Sequence, residues 1–530
     1  MPKVLVSDPI ADAGIEILRK IPNTQVDVKL GLKPDELKAI IGEYDALAVR
    51  SETKVTADIL ASATKLQIIG RAGVGVDNID VNAATQRGVV VVNSPEGNTL
   101  AAAELAVALL LAIARKIPQA DASLRAGKWE RKKFVGTEIY GKTVGVIGLG
   151  KIGRNVAQRM KSFETTIVAF DPFATEEGAR RIGAELVTLD ALLERSDFIT
   201  VHVPLNNATR GMIGAAQIAR MKDGVRIINC ARGGIVDELA LADAIKSGKV
   251  EGAAFDVFSK EPPEADNPLL SLSQNVITPH LGASTEEAQV NVAIDIAIQI
   301  SDVLQGRSAR SAVNLPALTS EELARVSPYL LLAKQIGSLH TQLAAGVGTT
   351  VSSLEVIFNG DFAGLPTESI TRATLQGVMT PMLQDPVNLV NAPVLAEARG
   401  IQYKETFAKS SPEHTCLLSI RATTSVGETT ICGTVYGEEA RIVHIDGHHV
   451  DIIPSGNMIV TQHSDRPGII GKVGTLLGDN GVNIAGMHVG REAVGTHAIM
   501  VIMIDQSLAP ELLAQIRALT GIETAQTITL

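Results

Sequence analysis

The chain has 530 residues, a formal net charge of −10, and 45% hydrophobic residues against only 3% aromatic ones. That length exceeds what one core usually supports, so three or more domains are expected, their interiors built mainly from Ala, Val, Ile and Leu as in alternating strand-helix proteins. The acidic balance, with no basic block interleaved with aromatics, disfavours nucleic acid as a partner.

Three cysteines, Cys230, Cys416 and Cys432, are too few for a disulfide framework and show no metal spacing, so a reducing, cytoplasmic setting and no bound metal are expected. The start, Met-Pro-Lys-Val-Leu-Val-Ser-Asp, reads as a strand and turn without the apolar core of a signal peptide. Leu105 to Ala114, the most apolar helical stretch, is too short to cross a bilayer, and no membrane association is expected.

In chain order, the first hundred residues alternate short apolar strands (Val4–Val6, Gln25–Val28, Ala46–Val49, Leu66–Ile69, Val89–Val92) with helical segments at Ile15–Lys20 and Pro34–Ile41, a small α/β lobe. A helix is predicted over Ala101–Ala114. Then comes Lys142-Thr-Val-Gly-Val-Ile-Gly148-Leu-Gly150-Lys151-Ile152-Gly153. It places an apolar strand before Gly148 for the turn, Gly150 for backbone approach to a pyrophosphate and Gly153 for close helix packing. The next strand, Thr166–Phe170, ends in Asp171, about 20 residues on, where a carboxylate accepts hydrogen bonds from an adenosine ribose. The acid favours NAD over NADP, although Arg180 and Arg181 nearby keep NADP open. A dinucleotide fold normally begins with this strand, so the first hundred residues form a separate lobe, and two lobes imply a cleft.

Alternation continues to about His280. Ser284–Leu304 has the period of a long helix that could return to the first lobe, and Pro316 marks a boundary. Residues 317–452 start with a helix from Ser320 and carry strand-like runs at Leu417–Ile420 and Arg441–Ile445, with no catalytic motif. From Asn457 the chain reads strand (Met458–Gln462), helix to Leu477, strand (Val482–Val489), strand (Thr496–Ile504), helix (Ala509–Leu519) and strand (Thr524–Leu530), the βαββαβ order of a ferredoxin-like module.

Three segments end strands of the cofactor lobe: Ile228-Asn-Cys230-Ala231-Arg232-Gly-Gly-Ile-Val-Asp237, Ala254-Phe-Asp256-Val-Phe-Ser-Lys-Glu261-Pro-Pro and Val276-Ile-Thr-Pro-His280-Leu-Gly282-Ala283-Ser284. Ligands bind at such carboxyl edges. An arginine, a carboxylate and a histidine are what reversible hydride transfer from an alcohol requires. The histidine takes the hydroxyl proton, the carboxylate stabilises its imidazolium form and orients the ring, and the arginine holds a substrate carboxylate in a two-pronged hydrogen bond.

Taken together, the glycine fingerprint, Cys-Ala-Arg-Gly-Gly-Ile-Val-Asp, Asp-Val-Phe-x-x-Glu-Pro and Pro-His-Leu-Gly-Ala-Ser resemble the D-isomer-specific 2-hydroxyacid dehydrogenases. Over essentially the whole chain the resemblance is to the long form that oxidises 3-phosphoglycerate. It implies a Rossmann-type doubly wound sheet (99–284) inserted in a flavodoxin-like substrate lobe (1–98 and 285–315), an α+β intervening domain (316–453) and an ACT domain (456–530). It further implies Arg232, Glu261 and His280 as the catalytic set, with the cofactor NAD held by Gly148, Gly150, Lys151, Ile152, Gly153, Asp171, Pro204, Cys230, Ala231, Arg232, Asp256, His280, Gly282 and Ala283. Asp256 is expected to face the nicotinamide carboxamide. Substrate contacts fall to Arg50, Arg71, Asn98, Arg131 and Lys133, the last two on an arm that in relatives crosses to a partner subunit.

Where the family often has Ser-Ala-Thr, this chain has Ser51-Glu52-Thr53 beside Arg50. The resemblance also implies an L-serine effector at His463, Asp465 and Asn483, lost on deletion of residues 457–530, and a homodimer or homotetramer. Two rivals share some of these motifs. A dehydrogenase for glyoxylate or glycerate generally ends near residue 315, and a NAD-sensing corepressor needs a partner-peptide surface in place of the ACT module.

Overall fold

The computed structural model describes residues 1–316, 318–362, 364–384, 386–408, 414–491 and 496–530. Its first sheet has five parallel strands, Lys3–Val6, Gln25–Val28, Ala46–Val49, Ile68–Arg71 and Val90–Val92, lying side by side in the order 2-1-3-4-5. Val4, Leu5, Val6 and all of Ala46–Val49 are fully buried, because helices cover both faces and leave no polar side for alternation to mark. One covering helix is Glu286–Leu304, which returns from the far end of the second lobe to pack on Asp12–Arg19. Its Ile296, Ala297 and Ile300 share a core with Val4, Val6, Ala46 and Ile68. Gly14 permits the close approach, since a Cβ there would sit 2.7 Å from the Ala293 carbonyl oxygen. The helix starts two residues later than the expected Ser284 because the Thr285 side chain caps it, accepting from the Ala288 N–H at 3.1 Å.

Seven parallel strands form the second sheet: Thr143–Ile147, Thr166–Phe170, Ala184–Leu186, Phe198–Val201, Val225–Asn229, Val250–Phe255 and Val276–Ile277. Their spatial order, 7-6-5-4-1-2-3, reverses between the first and fourth strands. That reversal opens a crevice at the carboxyl ends, which is where ligands bind in such sheets. Helix Thr99–Arg115 packs on one face and against helix Lys151–Lys161.

A six-stranded mixed sheet follows, covered by helices Ser320–Gly346 and Thr367–Met379. The last sheet has strands Asn457–Ser464, Ile484–Arg491, His497–Ile504 and Ile522–Thr529 in the order 2-3-1-4, with helices Ile469–Asp479 and Pro510–Arg517. The strand expected from Val482 begins at Ile484. Gly481 at φ +69° turns the chain, and the Val482 N–H closes the preceding helix on the Leu477 carbonyl.

Alternate residues of this sheet face two cores. Ile459, Met500 and Ile502 face its own helices, while Met458, Val460, Ile499, Val501 and Ile528 belong to the core of the six-stranded domain. Gln342 adds two hydrogen bonds to the Thr529 backbone, of 2.8 and 2.9 Å. Among the described residues no helix is long and apolar enough to cross a membrane.

Candidate active site

The glycine turn is built as a phosphate cradle. Gly148 has φ +96°, a conformation L side chains rarely adopt, and its N–H donates to the Phe170 carbonyl at 2.8 Å. A Cβ on Gly153 would overlap the Gly148 carbonyl oxygen, so only glycine lets the helix dock there. A Cβ on Gly150 would meet nothing within 4 Å: that glycine faces open space at the helix N-terminus, where a phosphate is favoured. The Asp171 carboxylate accepts from the Leu149 N–H and the Phe173 N–H, each at 2.8 Å, fixing it beside the turn. Arg180 and Arg181 are held by Glu176 and Glu177 on their own short helix. A ribose diphosphate fits this set, and the nearby arginines are already engaged elsewhere.

At the carboxyl edge the three expected catalytic side chains converge on a cleft of about 610 Å³ between the lobes. His280 sits at φ +55° in the loop after the seventh strand, and its Nδ1 lies 2.7 Å from Glu261 Oε2. The carboxylate therefore holds the Nδ1 proton, leaving the Nε2 lone pair for a substrate hydroxyl. Burial, the largest single influence on Glu261, raises its pKa. The hydrogen bonds from His280 and the Phe258 N–H, with the charges of His280 and Arg232, outweigh burial and hold the carboxyl below its ordinary range. Arg232 follows the fifth strand and its Nη1 donates to the Ala231 carbonyl at 2.7 Å. Burial pushes the Cys230 thiol pKa up, so it is neutral packing beside this set and no nucleophile.

Arg50, Arg71, Asn98, Ile152, Pro204, Cys230, Ala231, Gly282 and Ala283 line the same cleft. Arg71 Nε and Asn98 Oδ1 are buried without a hydrogen-bond partner, open groups that a bound anion or amide would satisfy. Burial and then the neighbouring charge of Arg232 push Arg71 down to about 10, so it remains a cation.

Lys151 instead bonds Glu96 across the lobes at 2.5 Å. Asp256 does not line the cleft. Fully buried, it accepts from Thr278 Oγ1 at 2.6 Å, from the Leu281 N–H at 2.7 Å and from the Gly282 N–H at 2.9 Å, and so acts as the post that shapes the His280 loop. Burial is the main reason its pKa is raised, and these bonds oppose that rise.

Arg131 and Lys133 lie outside the cleft on an exposed turn, with Lys133 paired to Glu130 at 2.7 Å and Trp129 78% exposed. The expected effector residues are not gathered within one chain either. His463 pairs with Ala498 near one end of strand His497–Ile504, while Asn483 donates to Asp505 at 2.6 Å beyond its other end. Six residues of strand separate them by roughly 20 Å. His463 is 2% exposed with Nδ1 unpartnered, burial lowers its pKa, and Asp465 pairs with Arg491 at 3.4 Å.

Two residues that line the cleft, and one that anchors its lining, escaped the sequence reading. Asp77 forms an ion pair with Arg232 at 3.2 Å. His202, bonded to Thr200 Oγ1 at 2.8 Å, is pushed down to about 4 by burial and is neutral. Asp8 anchors the Arg50 loop by accepting its N–H at 2.7 Å. The signal for Asp8 was its place at the carboxyl end of the first strand, whereas nothing local marks the other two.

The family model of the NAD binding domain of D-isomer specific 2-hydroxyacid dehydrogenases matches residues 107–282. Those of the D-3-phosphoglycerate dehydrogenase intervening domain and the ACT domain match 325–446 and 457–521. Similar proteins include the D-3-phosphoglycerate dehydrogenases of Archaeoglobus fulgidus, 48% identical over 98% of each chain, and of Bacillus subtilis, 42% identical over 100% of this chain and 99% of that one. Among solved structures, a glyoxylate reductase from Paecilomyes thermophila superposes with a TM-score of 0.54 at 29% identity, covering 59% of this chain and 98% of its own. Apo D-lactate dehydrogenase from Escherichia coli does so with 0.53 at 25%, covering 59% and 100%. These neighbours cover 59% of this chain, about the length of the two α/β lobes, whereas the first two relatives match throughout. The chain thus belongs to the D-3-phosphoglycerate dehydrogenase family of D-isomer-specific 2-hydroxyacid dehydrogenases.

Proposed function

We propose that this protein oxidises 3-phospho-D-glycerate to 3-phosphohydroxypyruvate with NAD, the first step of L-serine biosynthesis. The observation that carries the reading is the Glu261–His280 pair at 2.7 Å facing Arg232 in a cleft that also holds Arg50 and Arg71. Gly148, Gly150 and Gly153 with Asp171 would hold the dinucleotide, whose chemistry when bound would be to take up the C2 hydride. Arg232 takes the substrate carboxylate and polarises the C2 oxygen, and Arg50 and Arg71 receive the phosphate. His280 Nε2 removes the hydroxyl proton, and the imidazolium so formed is balanced by Glu261. The division of labour follows the two lobes, residues 1–98 and 285–315 for substrate and 99–284 for cofactor.

The test is NADH formation from 3-phosphoglycerate by the purified chain. Turnover of an unphosphorylated hydroxy acid alone would sink the substrate assignment. His280→Ala should lower kcat by about 10²–10⁴-fold, the usual weight of a positioned general base. An unaffected kcat would instead favour a NAD-sensing role.

The reading extends to a cytoplasmic homodimer or homotetramer. The turn carrying Arg131 and Lys133 would reach a second copy's cleft, and His463 and Asp465 of one chain would meet Asn483 of another around L-serine. Because the ACT sheet shares its core with the preceding domain, deleting residues 457–530 would expose that core, and Asn483→Ala is the cleaner variant. Serine inhibition of the wild type, lost in Asn483→Ala, is the expected outcome.

A further inference from the structure

Arg232 is already partly occupied. Its Nε lies 3.2 Å from Asp77 Oδ2 and its Nη1 is committed to the Ala231 carbonyl. A two-pronged grip through the side edge of the guanidinium pairs Nε with Nη2, so a substrate carboxylate taken there competes with Asp77 for Nε.

The pair spans the cleft. Asp77 lies in the loop between strand Ile68–Arg71 and helix Val81–Gln86 of the substrate lobe, and Arg232 follows strand Val225–Asn229 of the cofactor lobe. Its partners differ in freedom: the Asp77 side chain is 75% exposed, that of Arg232 28%. The guanidinium rests on the loop backbone so closely that a Cβ on Gly75 would overlap its Nη2. The arginine is therefore seated, while the aspartate can swing into water at little cost. Arg50 and Arg71 add two more cations to the same cleft, and the charge of Asp77, with that of Asp8, acts on Arg71 as well.

We propose that Asp77 is a built-in stand-in for the substrate carboxylate, holding the open edge of Arg232 until substrate displaces it and thereby setting the affinity for anionic 2-hydroxy acids. The inference rests on the assignment of Arg232 as the carboxylate ligand. An exposed ion pair of this kind is weak, so its removal should shift apparent affinity by only about three- to fivefold.

The experiment compares wild type, Asp77→Asn and Asp77→Glu at saturating NAD, using whichever 2-hydroxy acid the wild type oxidises, with acetate as a competing monocarboxylate. Asp77→Asn should lower KM and the acetate inhibition constant in the same proportion, and Asp77→Glu should restore wild-type values. Should the Asn variant not fold, Asp77→Ser replaces it. An unchanged or raised KM, or a fall shared by the Glu variant, would overturn the proposal. Failure of the wild type on 3-phosphoglycerate itself would touch only the substrate assignment, because the Asp77 comparison runs on any accepted 2-hydroxy acid.

Discussion

Asp8, 1% exposed at the end of the first strand, carries the loop that presents Arg50. Its carboxylate accepts the N–H groups of Arg50, Glu52 and Thr53 at 2.7, 3.1 and 3.0 Å. Glu52, which departs from the family's usual alanine, contributes its backbone here, so its added charge leaves the anchor intact. Asp8→Ala would remove the acceptor of these half-buried donors, and a loss of about 1–3 kcal/mol in unfolding free energy, with a raised KM for phosphorylated substrate, is expected from denaturation and steady-state measurements. Glu261→Gln keeps an acceptor for His280 but removes the charge, so kcat should fall about tenfold or more with KM little changed, the mark of an interaction made mainly in the transition state. The Glu261 pKa is depressed in the folded chain. Its stabilisation is therefore complete above the ordinary carboxylate range and is lost as pH falls through the depressed value. Residue types were legible in the sequence at this scale, as was the pairing of Glu261 with His280, but other partners were not. Asp256 was expected against the cofactor, and only the fold shows its two oxygens committed to the His280 loop.

The strand-turn-helix of the fingerprint separates two roles that its glycines share in sequence. Gly150 meets nothing within 4 Å and has φ −64°, so Gly150→Ala should fold with an unchanged melting temperature yet bind NADH at least about tenfold more weakly, because the methyl intrudes where a phosphate would sit. Gly153→Ala places a Cβ against the Gly148 carbonyl, a backbone atom that cannot rotate away. It should cost about 1–3 kcal/mol of stability, read by denaturant unfolding, as overpacked sites do. If both variants lost stability equally, this division would be wrong. The period of the apolar residues predicted the helices and strands well, and the ends less well. Thr285 and Gly481 decide where elements start through a cap and a left-handed turn, single-residue effects that periodicity does not register.

Across the whole molecule, two buried histidines tie stability to pH. His202 in the cleft and His340, which bonds the Ile420 carbonyl at 2.9 Å beneath the six-stranded sheet, are both pushed down to about 4 by burial. A folded pKa below the unfolded value of ~6.5 means that the unfolded chain binds more protons in between. Stability should be full above that unfolded value and fall as pH drops toward 4, by order of 2–3 kcal/mol per histidine. Urea unfolding at a series of pH values should show His340→Gln flattening the slope, and an unchanged slope would refute the assignment. The sequence by itself determined the lobes, the order of the modules and the residue types of the candidate site, because strand period, turn glycines and strand-end motifs are local and survive in one dimension. Tertiary structure alone decided that the ACT sheet shares its core with the domain before it, that Arg131, Lys133 and the effector residues stand apart within one chain, and that Asp77 faces Arg232. Each depends on how elements pack or which end of a strand a residue takes, and no local pattern encodes that placement.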